Sequence, residues 1–188
     1  ILSEKNPEYY DYAKLGPETI RFTLLDDANA ILAAYKSGEL QFIEEVPTDE
    51  IANYLVSGEL QIADYIGTYY VCFNTEDEIF SNPLVRKAFS LAIDRNYIVE
   101  NVTQTGEVPA TGFVPSGVYD ANGSGGDDFR TVGGDYYSVA DSDYEANCEE
   151  AKRLLAEAGY PNGEGFPTVE YLYNTNDNHK AIGEALQN

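Results

Sequence analysis

Two near-identical hexapeptides, Ser37-Gly38-Glu39-Leu40-Gln41-Phe42 and Ser57-Gly58-Glu59-Leu60-Gln61-Ile62, constrain the fold more than any other feature of the chain. Each follows a stretch whose apolar residues recur at helical spacing: Ala28, Ile31, Leu32 and Tyr35 before the first, Ile51, Tyr54 and Leu55 before the second. Asp26-Asp27 and Thr48 stand where those helices need N-capping oxygens. Gly38 and Gly58 stand where they must stop, because only a residue without Cβ takes up the left-handed cap cheaply. The chain then runs into β-prone residues, Leu40 to Ile43 in the first case, while Ile20 to Leu25 reads as a strand ahead of the first helix. Two copies are too few for a stacked solenoid. They read as two helix-stop-strand junctions, and the alternation predicts an α/β fold.

The remainder extends that pattern. Thr68 to Phe73 is a dense β-branched and aromatic run, apolar on both faces except at Thr68, as a central strand would be. Asn82-Pro83 offers an N-cap with proline at the first helical position. Leu84, Val85, Ala88, Phe89, Ala92 and Ile93 continue a buried helix, with Arg86 and Lys87 facing out, and a second short helix follows Arg95. From Tyr119 to Tyr144 the chain is rich in Gly, Asp, Ser and Tyr without periodicity, which predicts a long surface excursion. Asp143 can cap a helix in which Glu149 and Glu150 precede Lys152 and Arg153, the order the helix dipole prefers, and Gly159 ends it. Thr168 to Tyr173 is strand-like, and Asp177 can cap a last helix.

Composition excludes more than it assigns. A formal charge of -22 argues against nucleic acid and against an anionic membrane surface, since both need clustered Lys and Arg. No apolar run approaches the roughly 20 residues that cross a bilayer. The start, Ile1-Leu2-Ser3-Glu4-Lys5, has no basic region, apolar stretch or cleavage site, and no initiator Met, so an internal piece of a longer chain is expected. Cys72 and Cys148 are too far apart in sequence for a zinc motif and read as ordinary buried thiols.

Enzymatic signatures are lacking. With a single histidine a Ser-His-Asp arrangement could only use His179, and no serine lies in a Gly-x-Ser-x-Gly elbow. Gly123-Ser124-Gly125-Gly126 lacks the Lys and Ser/Thr of a phosphate loop. Asp120, Asn122, Ser124 and Asp128 mimic the spacing of a calcium loop with Gly125 at its sixth position, but Thr131 stands where the bidentate acid belongs. A solvated loop is the better reading, and neither a metal nor a cofactor is expected.

Several of these segments, taken in order, resemble the family 5 solute-binding proteins of ABC transporters. They are Asn6-Pro7-Glu8-Tyr9-Tyr10, Ala34 through Leu40, Gly67-Thr68-Tyr69-Tyr70 with Phe73-Asn74, Asn82 through Arg95, and Glu150 through Tyr160. Tyr173-Asn174-Thr175-Asn176-Asp177-Asn178-His179-Lys180 resembles the oligopeptide-binding branch in particular. The resemblance implies a two-lobed clamp of the type II periplasmic-binding-protein kind, only partly present, that holds a peptide between its lobes. It implies that residues 1–67 form the second part of lobe I, 68–75 a crossover strand, and 76–188 the opening part of lobe II. It further implies an extracytoplasmic location, no enzymatic activity, a monomer, a peptide ligand and ABC permease subunits as partners. Contact with the membrane would be indirect, through an N-terminal anchor outside this chain. The family's acidic anchor for a ligand's amino terminus belongs to a part not present. A lysine that members offer to a ligand carboxylate has no counterpart in Glu100-Asn101-Val102-Thr103-Gln104-Thr105-Gly106. A receptor for a dipeptide, nickel or a sugar, or a structural piece without binding of its own, are the alternatives.

A peptide of arbitrary sequence has to be gripped through its backbone, which calls for neutral donors, acceptors and aromatic walls. Asn174 and His179 supply the polar groups, and the resemblance puts both at the cleft. The plainer reading makes Asn174 a turn residue and His179 a surface residue. Tyr69 and Tyr70 alternate along the crossover, so at most one points into the cleft; otherwise both are core aromatics. Asp26 and Asp27 are N-caps rather than ligand contacts.

Overall fold

The structure, a computed structural model, describes residues 1–188, which divide into two compact units, Ile1–Val56 and Ser57–Asn188. In the first, β1 (Leu2–Glu4) pairs antiparallel with β2 (Thr19–Arg21), with Ser3 opposite Ile20. The amide of Phe22 donates to Ile1 O at 2.7 Å and that of Lys5 to Glu18 O at 2.9 Å, which lengthens the ribbon at both ends. Helix α1 (Ala28–Lys36) starts at Asp27, whose side chain accepts from Ala30 N at 2.7 Å. Helix α2 (Thr48–Ser57) buries Ile51 as α1 buries Leu32, while Leu55, expected on the apolar face, stays exposed. Lys36 Nζ lies 3.1 Å from Glu50 Oε1 and over the Tyr54 ring, tying α1 to α2. Gly38 and Gly58 end these helices at φ of 80° and 77°, a region that costs a side chain strain.

The second unit is built on α3 (Pro83–Ala92) and α6 (Tyr144–Glu157). Their apolar stripes meet, so Ala88, Leu91, Ala151 and Leu154 form one buried cluster flanked by Leu84, Tyr137 and Leu155. Val85 is fully buried; a side chain of that size removed from water contributes about 1.5–3 kcal/mol. Asn82 caps α3 as its sequence predicts, accepting from Leu84 N at 2.9 Å. Arg86 does not simply face out: its Nη1 donates to Phe80 O and Ser81 O at 2.6 and 3.0 Å, fastening the loop before the helix. Phe73, Phe80, Phe89 and Phe166 stack in succession along the flank of α3, with centroids 5.0 to 5.7 Å apart.

One-turn α4 (Arg95–Tyr97) runs into a π-helical turn, Ile98–Thr103, which ends at Gln104 in the left-handed region (φ 58°). The excursion 119–144 is more ordered than its composition suggests. Tyr119 and Asp128 form an isolated antiparallel bridge, and Asp128 caps α5 (Phe129–Gly133). The calcium-like carboxylates face amides instead of a common centre: Asp120 accepts from Asn122 N, and Asp128 from Gly117 N and Arg130 N. Last comes α7 (Asp177–Gln187), which buries Ile182 and packs on the π-helical turn. No helix is long and apolar enough to cross a membrane.

Further local expectations need correction. Leu40–Ile43, which bends at Gln41, Thr68–Phe73 and Thr168–Tyr173 enter no ladder, and β2 stops at Arg21. A strand is held by backbone hydrogen bonds to a neighbouring strand, and none of these segments makes them. Cys72, on one of these segments, is exposed and Cys148, on α6, is half-buried, so neither is the buried thiol anticipated. Asn176, and not Asp177, caps α7, because an N-cap must itself lie outside the helix in extended backbone. Asp143 occupies the cap position of α6 without a side-chain bond, its backbone already being helical.

Candidate functional site

The first turn of α7 positions the candidate site. Asn176 Oδ1 accepts from the backbone N–H of His179 at 3.0 Å, which fixes the histidine at the third residue of the helix. Asn174 Oδ1 meets His179 Nδ1 at 2.5 Å. With that oxygen as acceptor, Nδ1 carries the hydrogen and Nε2 is left to meet a further group, as acceptor when the ring is neutral and as donor when it is protonated.

Tyr69 comes to this pair from a segment more than a hundred residues earlier. Its ring lies edge-on to the imidazole, centroids 5.4 Å apart at 62°. Its hydroxyl is 3.4 Å from that of Tyr171. Partial burial of the phenol, and then the Tyr171 hydroxyl, push Tyr69 up to about 12, so it is a neutral donor at physiological pH. Three of the four residues singled out from the sequence, Tyr69, Asn174 and His179, are therefore neighbours within the second unit. Tyr70 turns the other way, onto Phe113, with centroids 4.9 Å apart.

Tyr171, Tyr173 and Gly183 complete the surroundings and were not singled out from the sequence. Tyr171 and Tyr173 share one side of their extended segment, rings 5.7 Å apart, while Leu172 between them is 94% exposed. The period of two was the available signal. Gly183 lies against both rings: a Cβ there would stand 3.2 Å from two carbons of Tyr171. A glycine inside a helix was the other signal, since that position costs stability unless something approaches closely.

The chemistry on offer includes no fixed charge: an amide that donates and accepts, an imidazole nitrogen, phenol hydroxyls and half-exposed aromatic faces. Such a set can take up peptide groups or a carboxylate.

The whole chain, residues 1–188, matches the family described as bacterial extracellular solute-binding proteins, family 5 Middle. It is 33% identical over 189 residues to the dipeptide-binding protein DppE of Bacillus subtilis, a match covering 100% of this chain and 33% of that protein. Among solved structures it is similar to the murein tripeptide binding protein MppA of Escherichia coli, at 30% identity and a TM-score of 0.76, over 98% of this chain and 34% of that one. It is also similar to Haemophilus influenzae OppA in complex with RPPGFSPFR, at 26% identity and a TM-score of 0.74, over 98% and 34% of the two chains. The chain thus spans about a third of the length of the relatives it matches. The fold is that of the type II periplasmic binding proteins, an α/β two-lobed clamp of which this chain carries part.

Proposed function

Because this chain belongs to family 5 of the bacterial extracellular solute-binding proteins, we propose that the protein carrying it is an extracytoplasmic receptor that binds oligopeptides and delivers them to an ABC importer. The observation that carries this reading is the meeting of Tyr69, Asn174 and His179 from two distant segments. A receptor that tolerates many sequences must hold what all peptides share, and these groups suit backbone amides and a terminal carboxylate without a fixed charge. The names of the relatives, a dipeptide-binding protein and a murein tripeptide binding protein among them, support peptide as the ligand class. On this reading residues 1–67 belong to lobe I, 68–75 to the crossover and 76–188 to lobe II, the compact unit Ile1–Val56 falling within the first. The receptor acts as a monomer, with permease subunits as partners and no catalytic step of its own.

Native mass spectrometry of the protein purified without denaturation from a peptide-rich medium tests the reading. A ladder of co-purifying masses a few residues long is expected, together with a preferred length. A single discrete mass, or a bound metal, overturns it in favour of a receptor for one small solute.

A further inference from the structure

We propose that Tyr171 is a positioning residue of this site, its hydroxyl holding the Tyr69 ring edge-on to His179 so that Tyr69 forms a fixed wall for the ligand. The inference rests on the reading of the cluster as a peptide site and adds a residue to it.

The backbone around Tyr69 supplies the reason. Thr68–Phe73 is extended and enters no ladder, so hydrogen bonds to a neighbouring strand do not locate the ring. Side-chain contacts have to do so, and Tyr69, 53% exposed, has two that matter: the imidazole edge at 5.4 Å and the Tyr171 hydroxyl at 3.4 Å. Tyr171 is itself seated. Its ring packs beside Tyr173 and over Gly183, where a side chain would come within 3.2 Å of it. Gly183 and His179 are one helical repeat apart and lie on the same face of α7. Tyr69 is therefore braced twice from one rigid face, directly through His179 and indirectly through Gly183 and Tyr171. Ile182, only 4% exposed, anchors that helix in the second unit. The high titration of Tyr69, which the Tyr171 hydroxyl helps to raise, agrees with this contact.

Tyr171→Phe removes only the hydroxyl and keeps the ring on Tyr173 and Gly183. The ligand-free readout is 19F NMR of 3-fluorotyrosine placed at position 69, the fluorine bringing the phenol's titration to milder alkali. In Tyr171→Phe its midpoint is expected to move down toward the ordinary phenol range. It should stop short of that range, since burial remains. Affinity for a peptide identified in the co-purifying set is expected to fall about two- to ten-fold, the effect of one net hydrogen bond. Tyr136→Phe, the control, removes an exposed hydroxyl outside the cluster and should leave both unchanged. If Tyr171→Phe leaves the fluorine midpoint and shift unaltered while peptide binds normally, Tyr171 does not position Tyr69 and the inference falls. If the midpoint moves but no peptide binds even the unsubstituted protein, the positioning stands and the peptide reading fails instead.

Discussion

Asn174 Oδ1 and His179 Nδ1 stand 2.5 Å apart, joining the end of an extended segment to the first turn of α7. The contact fixes the plane of the imidazole and leaves Nε2 as the ring nitrogen open to a further partner. It does not hold the helix together, because the capping bond to the amide of His179 comes from Asn176.

Asn174→Ala should therefore separate binding from stability. Freeing the imidazole and removing an amide that can reach the ligand should weaken peptide binding by about 1–2 kcal/mol, roughly five- to thirty-fold. Urea unfolding should change by less than about 0.5 kcal/mol, as for a surface substitution away from a cap. Calorimetric titration with a co-purifying peptide checks the first and denaturation the second. A loss of stability without a loss of affinity would return Asn174 to the role of a turn residue.

Asn82→Ala should do the reverse. The Asn82 side chain accepts from Leu84 N at the start of α3, the helix that carries Val85, Ala88 and Leu91 into the core. Loss of that cap should cost about 1 kcal/mol in urea unfolding at unchanged m-value. Asn82→Asp should be nearly neutral, since a carboxylate also accepts and favours the helix N-terminus. Binding at Tyr69 and His179 should not respond to either.

The helices were legible in the sequence because their signals are local. Asp27, Asn82, Gly38 and Gly159 act within one turn of where they stand, and Val85 and Ala88 lie on the apolar stripe the spacing predicts, although Leu91 takes the buried place expected of Ala92, which is exposed. The extended segments read less well. A β-prone run such as Thr68–Phe73 says what the backbone favours and not which strand, if any, lies beside it. Helix α5 escaped because its start, Asp128 before Phe129, sits in a stretch whose glycines suppress periodicity. Within the site, Asn174 and His179 were visible as a polar pair five residues apart. Tyr171 was not, because its meaning depends on Gly183 and Tyr69, one in a helix to come and one about a hundred residues behind.

Arg95 offers a test of the chain's hold on its long excursion. Its Nη1 donates to Ser90 O and Ile93 O at 2.9 and 3.2 Å, satisfying carbonyls at the end of α3, and its guanidinium lies 4.2 Å from the Tyr137 ring centroid. Burial pulls this guanidinium below its usual range, with Tyr137 opposing, and it remains charged at any pH the fold meets. Arg95→Lys keeps the charge but not the planar fork. It should cost about 1–2 kcal/mol and raise amide exchange in residues 134–143, which a purely electrostatic role would not do. Hydrogen exchange followed by mass spectrometry reads the second effect directly.

Glu107 gives a prediction with a definite pH sign. Its carboxylate accepts from Thr103 Oγ1 at 2.8 Å, from Thr105 N at 3.1 Å and from Thr105 Oγ1, clamping the turn that follows the π-helical segment under α7. Burial raises its titration, but hydrogen bonds from Thr105, its own backbone and Thr103 outweigh that and hold the carboxyl below the usual range. A folded value below the unfolded one means that the stabilisation is complete above the unfolded value, about 4.3, and is lost as pH falls through the folded value. Glu107→Gln keeps one acceptor and loses the charge, so it should unfold more readily at pH 7, by about 1 kcal/mol once solvent exposure of the carboxylate is allowed for. The gap between the two proteins should stay constant from pH 7 to about pH 5 and close below about pH 4. Urea midpoints at those pH values decide it. A gap that persists into acid would mean that Thr103 and Thr105 are held as well by the neutral acid, and that the charge of Glu107 contributes nothing to the turn beneath α7.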